Sequence, residues 1–120
     1  MKYCTKITPS IFSDSRGEIL TFLPDEKIVE FNMMITKQGD ARGYHYHPHF
    51  IEYILIVHGS CCFKEFYQDE TSEIMLNVGD CLRIPSYVAH TFIATSDLKF
   101  ISLLTKRWND SDPPIVKVTF

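Results

Sequence analysis

Short runs rich in Ile, Val, Phe, Tyr and Thr recur along the chain, and Gly, Pro, Asp and Asn break them at intervals typical of all-β folds. The apolar residues show little helical periodicity. A jelly-roll barrel, which is built from many short strands, accommodates this pattern. The predicted strands are residues 2–7, 18–23, 29–37, 41–47, 52–58, 60–67, 71–76, 81–84, 90–94, 99–105 and 115–119.

The predicted strand 52–58 is apolar on both faces. Glu52, Ile54 and Ile56 share one face, because alternate side chains of a strand point the same way, and the residues between them share the other. One face is expected to line a cavity. The other can pack on a second sheet or on a second subunit. Burial of both faces favours a homodimer, although a larger sandwich core explains it equally well.

Composition and charge limit the possible classes of protein. A chain of 120 residues with 45% apolar residues is long enough for one domain with its own core, so residues 1–120 are predicted to form a single domain. A formal net charge of −3 provides no basic field for a nucleic-acid backbone, and the Lys and Arg residues are scattered. We therefore expect no nucleic-acid partner.

No targeting or membrane segment is visible. The first residues lack the apolar stretch of a signal peptide, and no run approaches the eighteen or so apolar residues of a spanning helix. The sequence therefore predicts a cytoplasmic protein with no membrane partner.

Potential metal ligands cluster between Gly39 and Gly59. His45 and His47 are two residues apart on a predicted strand, so both side chains project to one face, and Glu52 can return from the next strand. His90 follows a later Gly-Asp turn. A single His-x-His is more often an exposed pair or a pair bonded to the backbone, but the addition of Glu52 and His90 favours a metal site. Imidazole and carboxylate ligands suit divalent Zn, Fe, Mn, Ni or Cu.

The spacing of these residues resembles the cupin superfamily. Its first motif, G-x5-H-x-H-x4-E-x6-G, is matched at every specified position from Gly39 to Gly59. Its second motif is matched in part: Gly79, Pro85 and His90 are present, whereas Tyr87 replaces an inner glycine and Ala94 a final asparagine. The resemblance implies an all-β cupin jelly-roll barrel, or double-stranded β-helix, with a metal held by His45, His47, Glu52 and His90.

Two further segments are similar to cupins that act on nucleotide sugars, namely Asp14-Ser15-Arg16-Gly17 and Arg42-Gly43-Tyr44-His45-Tyr46-His47. In the dTDP-4-dehydrorhamnose 3,5-epimerases such segments line the substrate pocket. That resemblance implies that Arg16 and Arg42 contact the nucleotide diphosphate and that His45 is the base. The dTDP-sugar 3,4-ketoisomerases carry a similar R-G-x-H-A-H. The cupin domain that ends certain capsular-polysaccharide epimerase-reductases carries R-G-x-H-Y-H, a following glutamate and a metal.

These resemblances lead to a functional hypothesis. The chain is expected to be a metal-binding epimerase or ketoisomerase of 4-keto-6-deoxyhexose nucleotide sugars, serving polysaccharide or deoxysugar synthesis. Tyr44 is a candidate for stacking on the substrate, and Tyr87 is a candidate proton donor. His45 cannot coordinate a metal and accept a proton on the same nitrogen, so its catalytic role applies to a metal-free site. The alternatives are a small metal-dependent dioxygenase or other oxidoreductase, and a non-catalytic sugar-binding or regulatory module.

Overall fold

The computed structural model describes all 120 residues and contains almost no regular structure other than strands. One turn of 3₁₀ helix spans Trp108–Asp110, and no helix has the length and apolar character needed to cross a membrane. The strands are β1 (Thr5–Lys6), β2 (Ser10–Asp14), β3 (Gly17–Thr21), β4 (Glu30–Thr36), β5 (Ala41–Tyr46), β6 (Glu52–His58), β7 (Ser60–Tyr67), β8 (Glu70–Asn77), β9 (Cys81–Ile84), β10 (Ala89–Ala94), β11 (Leu98–Leu104) and β12 (Val116–Lys117).

The strands form two five-stranded sheets and a separate hairpin. The first sheet has the order β1-β9-β6-β11-β4, the second has the order β12-β5-β10-β7-β8, and β2 pairs only with β3. Every pairing is antiparallel. The core takes Ile54 and Phe100 from the first sheet and Phe63 and Phe92 from the second. Because one apolar face of each sheet is buried against the other, the prediction of an all-β fold is confirmed.

The predicted strand bounds agree best in the centre of the chain. The predictions for 52–58, 60–67 and 81–84 have the bounds of β6, β7 and β9. The first strand is shorter than predicted, because the backbone N–H groups of Lys2, Tyr3 and Cys4 donate to the buried carboxylate of Glu65 instead of to a neighbouring strand. The last strand is also shorter, at Val116–Lys117.

The strand β2 was not predicted. Its sequence, Ser-Ile-Phe-Ser-Asp, has only two apolar residues, and it is extended because its backbone pairs with β3. All ten residues of the two strands are exposed. The turn between them is closed by Asp14, which accepts hydrogen bonds from the backbone N–H and the guanidinium of Arg16. This hairpin therefore projects from the two packed sheets.

The two faces of β6 differ in how they are covered. Glu52, Ile54 and Ile56 are buried between the sheets, as the alternation predicts. On the other face, Tyr53 is buried and its hydroxyl donates to Glu26, whereas Val57 is 40% exposed. The chain itself therefore covers only one end of this outer face.

Candidate functional site

A register shift in β5 places the site residues on one face. His45 lies opposite His90 on β10, but Gly43 lies opposite Thr91, so β5 has one more residue than β10 at this point. The extra residue is Tyr44, which has a positive φ of 56°. In a regular strand, Arg42 and His45 would point to opposite faces, since they are three residues apart. The bulge brings both to the inner face.

The bulge depends on Gly43. Its φ is +122°, and a Cβ built at this position would lie 2.5 Å from the carbonyl oxygen of His90 and 2.8 Å from the Cα of Thr91. Both contacts are with backbone, which cannot rotate away as a side chain can. Only glycine therefore allows β5 and β10 to approach closely enough to place His45 beside His90.

The structure brings the four predicted ligand residues together. His45, His47 and His90 each have a ring nitrogen within 4.8 Å of the others. The Oε1 atom of Glu52 lies 3.3 Å from Nε2 of His47 and 3.4 Å from Nε2 of His90. His47, Glu52 and His90 are buried, and His45 is half-buried.

Hydrogen bonds to the backbone fix the orientation of two of the imidazoles. Nδ1 of His47 lies 3.0 Å from the carbonyl oxygen of Pro114, and Nδ1 of His90 lies 2.9 Å from that of Val88. A carbonyl oxygen only accepts, so each Nδ1 carries a hydrogen, and Nε2 of each ring faces Oε1 of Glu52 with either a lone pair or a second hydrogen. Nε2 of His90 is buried and has no hydrogen-bond partner.

Three electron-pair donors, two imidazole nitrogens and a carboxylate oxygen, thus face one another in a buried space. Such a group is unfavourable unless a proton or a metal cation lies among its members. Burial alone would raise the pKa of the Glu52 carboxyl. Protonated imidazoles of His47 and His90 lower it through their hydrogen bonds and positive charge. The second effect is larger, so the pKa lies below its ordinary value. With a positive charge beside it, either a proton on an imidazole or a metal cation, Glu52 is ionised and supplies a negative ligand.

His45 is more exposed than His47 and His90, and it lines an open pocket together with His47. Burial, together with the positive charge that His90 and His47 can carry, lowers the pKa of the His45 imidazole to about 4. Its ring is therefore neutral at pH 7 and offers a lone pair, either to a cation or to a proton.

The pocket beside His45 has a volume of about 510 Å³, within the range of sites that bind small molecules. Its apolar walls include Met34, Phe92, Phe100 and Leu104. Arg42 lies at its exposed mouth, where Nε donates to Thr36 Oγ1 and Nη2 to the carbonyl of Ile35. These two bonds hold the planar guanidinium in one orientation.

Three predicted site residues lie outside this pocket. Tyr44 projects to the opposite side of β5 and packs against Phe120, with ring centroids 5.2 Å apart. Tyr87 is 54% exposed and stacks on Tyr46, so it cannot donate a proton within the pocket of its own chain. Arg16 lies at the tip of the projecting hairpin. Tyr44 and Tyr46 face away from the histidines, and Tyr87 lies against Tyr46.

Other residues of the pocket were missed by the sequence analysis. Glu30 accepts hydrogen bonds from the Asn32 side chain and the Trp108 backbone at the mouth, and Ser102 lies at the buried end. Trp108 and Glu30 are far apart in sequence, and neither belongs to a motif or pattern that would have placed it in the pocket. Ser102 did carry one, because it is a polar residue in the inward row of an otherwise apolar strand.

Comparisons with solved structures identify the class to which this fold belongs. A 3,4-ketoisomerase from Helicobacter canadensis superposes with a TM-score of 0.85 at 16% identity, covering 95% of this chain and 90% of that one. The TDP-quinovose 3,4-ketoisomerase from Campylobacter jejuni gives 0.85 at 17%, with 98% and 94% covered. A dTDP-4-dehydrorhamnose 3,5-epimerase from Sulfolobus tokodaii gives 0.81 at 22%, with 98% and 77% covered. The fold is therefore a cupin jelly roll, as the motifs predicted.

Residues 12–112 match the family described as the polysaccharide biosynthesis C-terminal domain, and the chain belongs to this family. A search of curated protein sequences found no match.

The close approach at Gly43 generates a prediction. Gly43→Ala should force β5 away from β10 and lower the free energy of unfolding by about 1–3 kcal/mol more than Gly39→Ala, as overpacking does elsewhere. Gly39 is a matched control, because it also has a positive φ, of 89°, but a Cβ there would meet nothing within 4 Å. Urea denaturation of both variants measures the difference. Equal losses would show that backbone strain alone, and not the contact with β10, requires glycine.

Proposed function

We propose that this chain is a nucleotide-sugar epimerase or ketoisomerase of the 4-keto-6-deoxyhexose type, acting in polysaccharide or deoxysugar synthesis. The observation that carries the proposal is the position of a neutral histidine, His45, and a fixed arginine, Arg42, in one pocket next to a buried carboxylate. Membership of a polysaccharide-biosynthesis family and a fold shared with sugar ketoisomerases and epimerases support the substrate class.

The donor set fits a divalent metal, and we propose that His45, His47, Glu52 and His90 hold one. The support is the group of converging donor atoms, and in particular the buried Nε2 of His90, which makes no hydrogen bond and lies 3.4 Å from Oε1 of Glu52. Imidazole and carboxylate ligands suit Zn, Fe, Mn, Ni or Cu. A bound metal of this kind supplies Lewis acidity, which stabilises negative charge on the oxygen of a substrate ketone.

The reaction begins with the loss of a proton from the carbon beside the keto group. The C–H bond breaks, its electron pair forms the enolate, and a base accepts the proton. Return of a proton to the opposite face of the same carbon gives an epimer. For ketone isomerisation, the former ketone oxygen gains a proton, the hydroxyl on the deprotonated carbon loses its proton to become the new ketone, and a proton is delivered to the former keto carbon. In a metal-free site, the ring nitrogen of His45 is the base. In the metal-bound site His45 is a ligand, and another pocket group or a water takes the proton.

The remaining pocket residues bind and orient the substrate. Arg42 has one amino group that is not used in its bonds to Thr36 and Ile35, and its planar fork suits a diphosphate. The apolar walls exclude water from the reacting carbon. A small apolar substrate, as expected for the dioxygenase alternative, would not require an arginine at the mouth.

Proton exchange tests this proposal. TDP-4-keto-6-deoxyglucose, which is bound in the structure of a related ketoisomerase mutant, is incubated with the protein in D₂O, and NMR follows the loss of the proton signal beside the ketone. We expect exchange with the wild-type protein and a fall of at least about 100-fold in His45→Asn, the usual size of a lost general base. His58→Asn, at the exposed end of β6, is the control and should exchange normally.

A chelator decides between the two roles of His45. Loss of exchange on chelation, together with its loss in Glu52→Gln, assigns the activity to the metal-bound site. Exchange that survives chelation but is lost in His45→Asn assigns it to His45 as the base. Tight substrate binding without exchange in either form would contradict the isomerase and favour the non-catalytic sugar-binding module.

We also propose that the chain forms a homodimer. Phe31, Met33 and Ile35 are 54–74% exposed on β4, which is an edge strand of the first sheet. The β2–β3 hairpin exposes Phe12 and Ile19 and pairs with neither sheet of its own chain. A long apolar edge strand favours association, and a lone hairpin is marginally stable in water, so a second copy would stabilise both.

Light scattering coupled to gel filtration tests the dimer. The wild-type protein should show twice the chain mass of 13.9 kDa, and Phe31→Glu should show the mass of one chain. Met75→Glu places the same charge at a 49% exposed residue on the edge strand of the other sheet and should remain dimeric. A wild-type protein of monomer mass would contradict this proposal.

A further inference from the structure

The inward face of β11 is apolar except at one position. Leu98, Phe100 and Leu104 are buried in the core, and Ser102 lies between the last two in the same row. Ser102 is only 3% exposed, and it borders the pocket next to Glu52. A serine in this row reduces the apolar area of the core, so its hydroxyl requires an explanation.

The hydroxyl of Ser102 binds the carboxylate of Glu52. Its Oγ donates to Glu52 Oε2 over 2.5 Å, and this is the one hydrogen bond that the serine side chain makes. The other carboxylate oxygen, Oε1, faces Nε2 of His47 and of His90. The two carboxylate oxygens of Glu52 therefore have different partners. Oε2 accepts a hydrogen bond from Ser102, and Oε1 faces the imidazoles of His47 and His90.

The position of the hydroxyl is set by the sheet. Ser102 lies opposite Ile54 on β6, and Glu52 lies opposite Leu104, so Ser102 and Glu52 are diagonal neighbours on one face of a paired strand. A glutamate side chain has three rotatable bonds, and a partner on a rigid strand removes much of that freedom. Without the hydroxyl, a buried carboxylate oxygen would lose its partner.

We propose that Ser102 is a positioning residue for the cation site: its hydroxyl holds the Glu52 carboxylate so that Oε1 faces His47 and His90. This inference rests on the proposed metal site. It assigns a role in metal affinity to a residue that is not itself a proposed metal ligand, as hydrogen-bond partners of metal ligands have elsewhere.

Metal titration of the apoprotein tests the inference. Zn²⁺ is titrated by calorimetry into dialysed wild-type protein, Ser102→Ala, and the isosteric pair Ser102→Thr and Ser102→Val. We expect Ser102→Ala and Ser102→Val to bind Zn²⁺ about 10- to 100-fold more weakly than wild type, the usual effect of removing a bond to a metal ligand. Ser102→Thr keeps a hydroxyl and should bind within a few fold of wild type.

Ser72→Ala is the matched control. Ser72 donates to the buried carboxylate of Glu65, at 2.7 Å, so the variant removes the same kind of bond from a glutamate that binds the N-terminal backbone. It should lower thermal stability and leave Zn²⁺ affinity unchanged. Because Ser102→Thr and Ser102→Val have the same shape, any strain from the larger side chain appears in both.

The outcomes separate this inference from the proposal on which it rests. Equal Zn²⁺ affinity of the Thr and Val variants, or wild-type affinity in Ser102→Ala, would overturn the role of Ser102 while the metal site stands. A wild-type protein that binds no Zn²⁺, and no Mn²⁺ or Ni²⁺ in the same titration, would overturn the metal site and this inference with it.

Discussion

The buried carboxylate of Glu52 is the constraint on which the rest of the site depends. A charge removed from water is costly, by several kcal/mol even after relaxation, unless opposite charge and hydrogen bonds compensate it. Here one oxygen accepts from Ser102 and the other faces two imidazoles. Because both imidazoles give their Nδ1 hydrogens to backbone carbonyls, a cation among the three groups completes the arrangement. The structure thus creates a strong requirement for positive charge at one point.

That point lies between the two sheets. Glu52 and Ser102 belong to β6 and β11 of the first sheet, whereas His45 and His90 belong to β5 and β10 of the second. Most of the other side chains buried between the sheets are apolar, so the site is a polar end of the same core. The same packing of the two sheets that forms the core therefore also holds together the groups that need a positive charge among them. The pocket opens where the apolar core ends. This explains why His45 is half-exposed while His90 is completely buried.

Much of the site could be predicted from the sequence, because the ligands follow strand alternation. His45 and His47 are two residues apart, and Glu52 begins the next strand, so local geometry determines where they point. Arg42 is different: strict alternation would direct it away from His45, and only the bulge at Tyr44 turns it inward. Its place in the pocket was predicted from a resemblance and not from spacing.

What could not be predicted depends on contacts between distant residues. Ser102 acts through a register between β6 and β11 that spans 50 positions, and Trp108 lies beside His47 only after the chain has crossed both sheets. Tyr44 is predicted to stack on the substrate and Tyr87 to donate a proton, but Tyr44 lies on the outward face of β5, and Tyr87 stacks on Tyr46. The strand β2 has too few apolar residues to show a pattern, and it is extended because its backbone pairs with β3.

The presence of a cation among Glu52, His47 and His90 is the central claim, and elemental analysis of the purified protein tests it most directly. Mass spectrometry of the wild-type protein, His47→Ala, Glu52→Ala and the control His58→Ala measures metal per chain after extensive dialysis. The account predicts close to one divalent ion per chain in the wild type and the control, and little in the two site variants. A folded wild-type protein that purifies without metal and takes up none on incubation would contradict it.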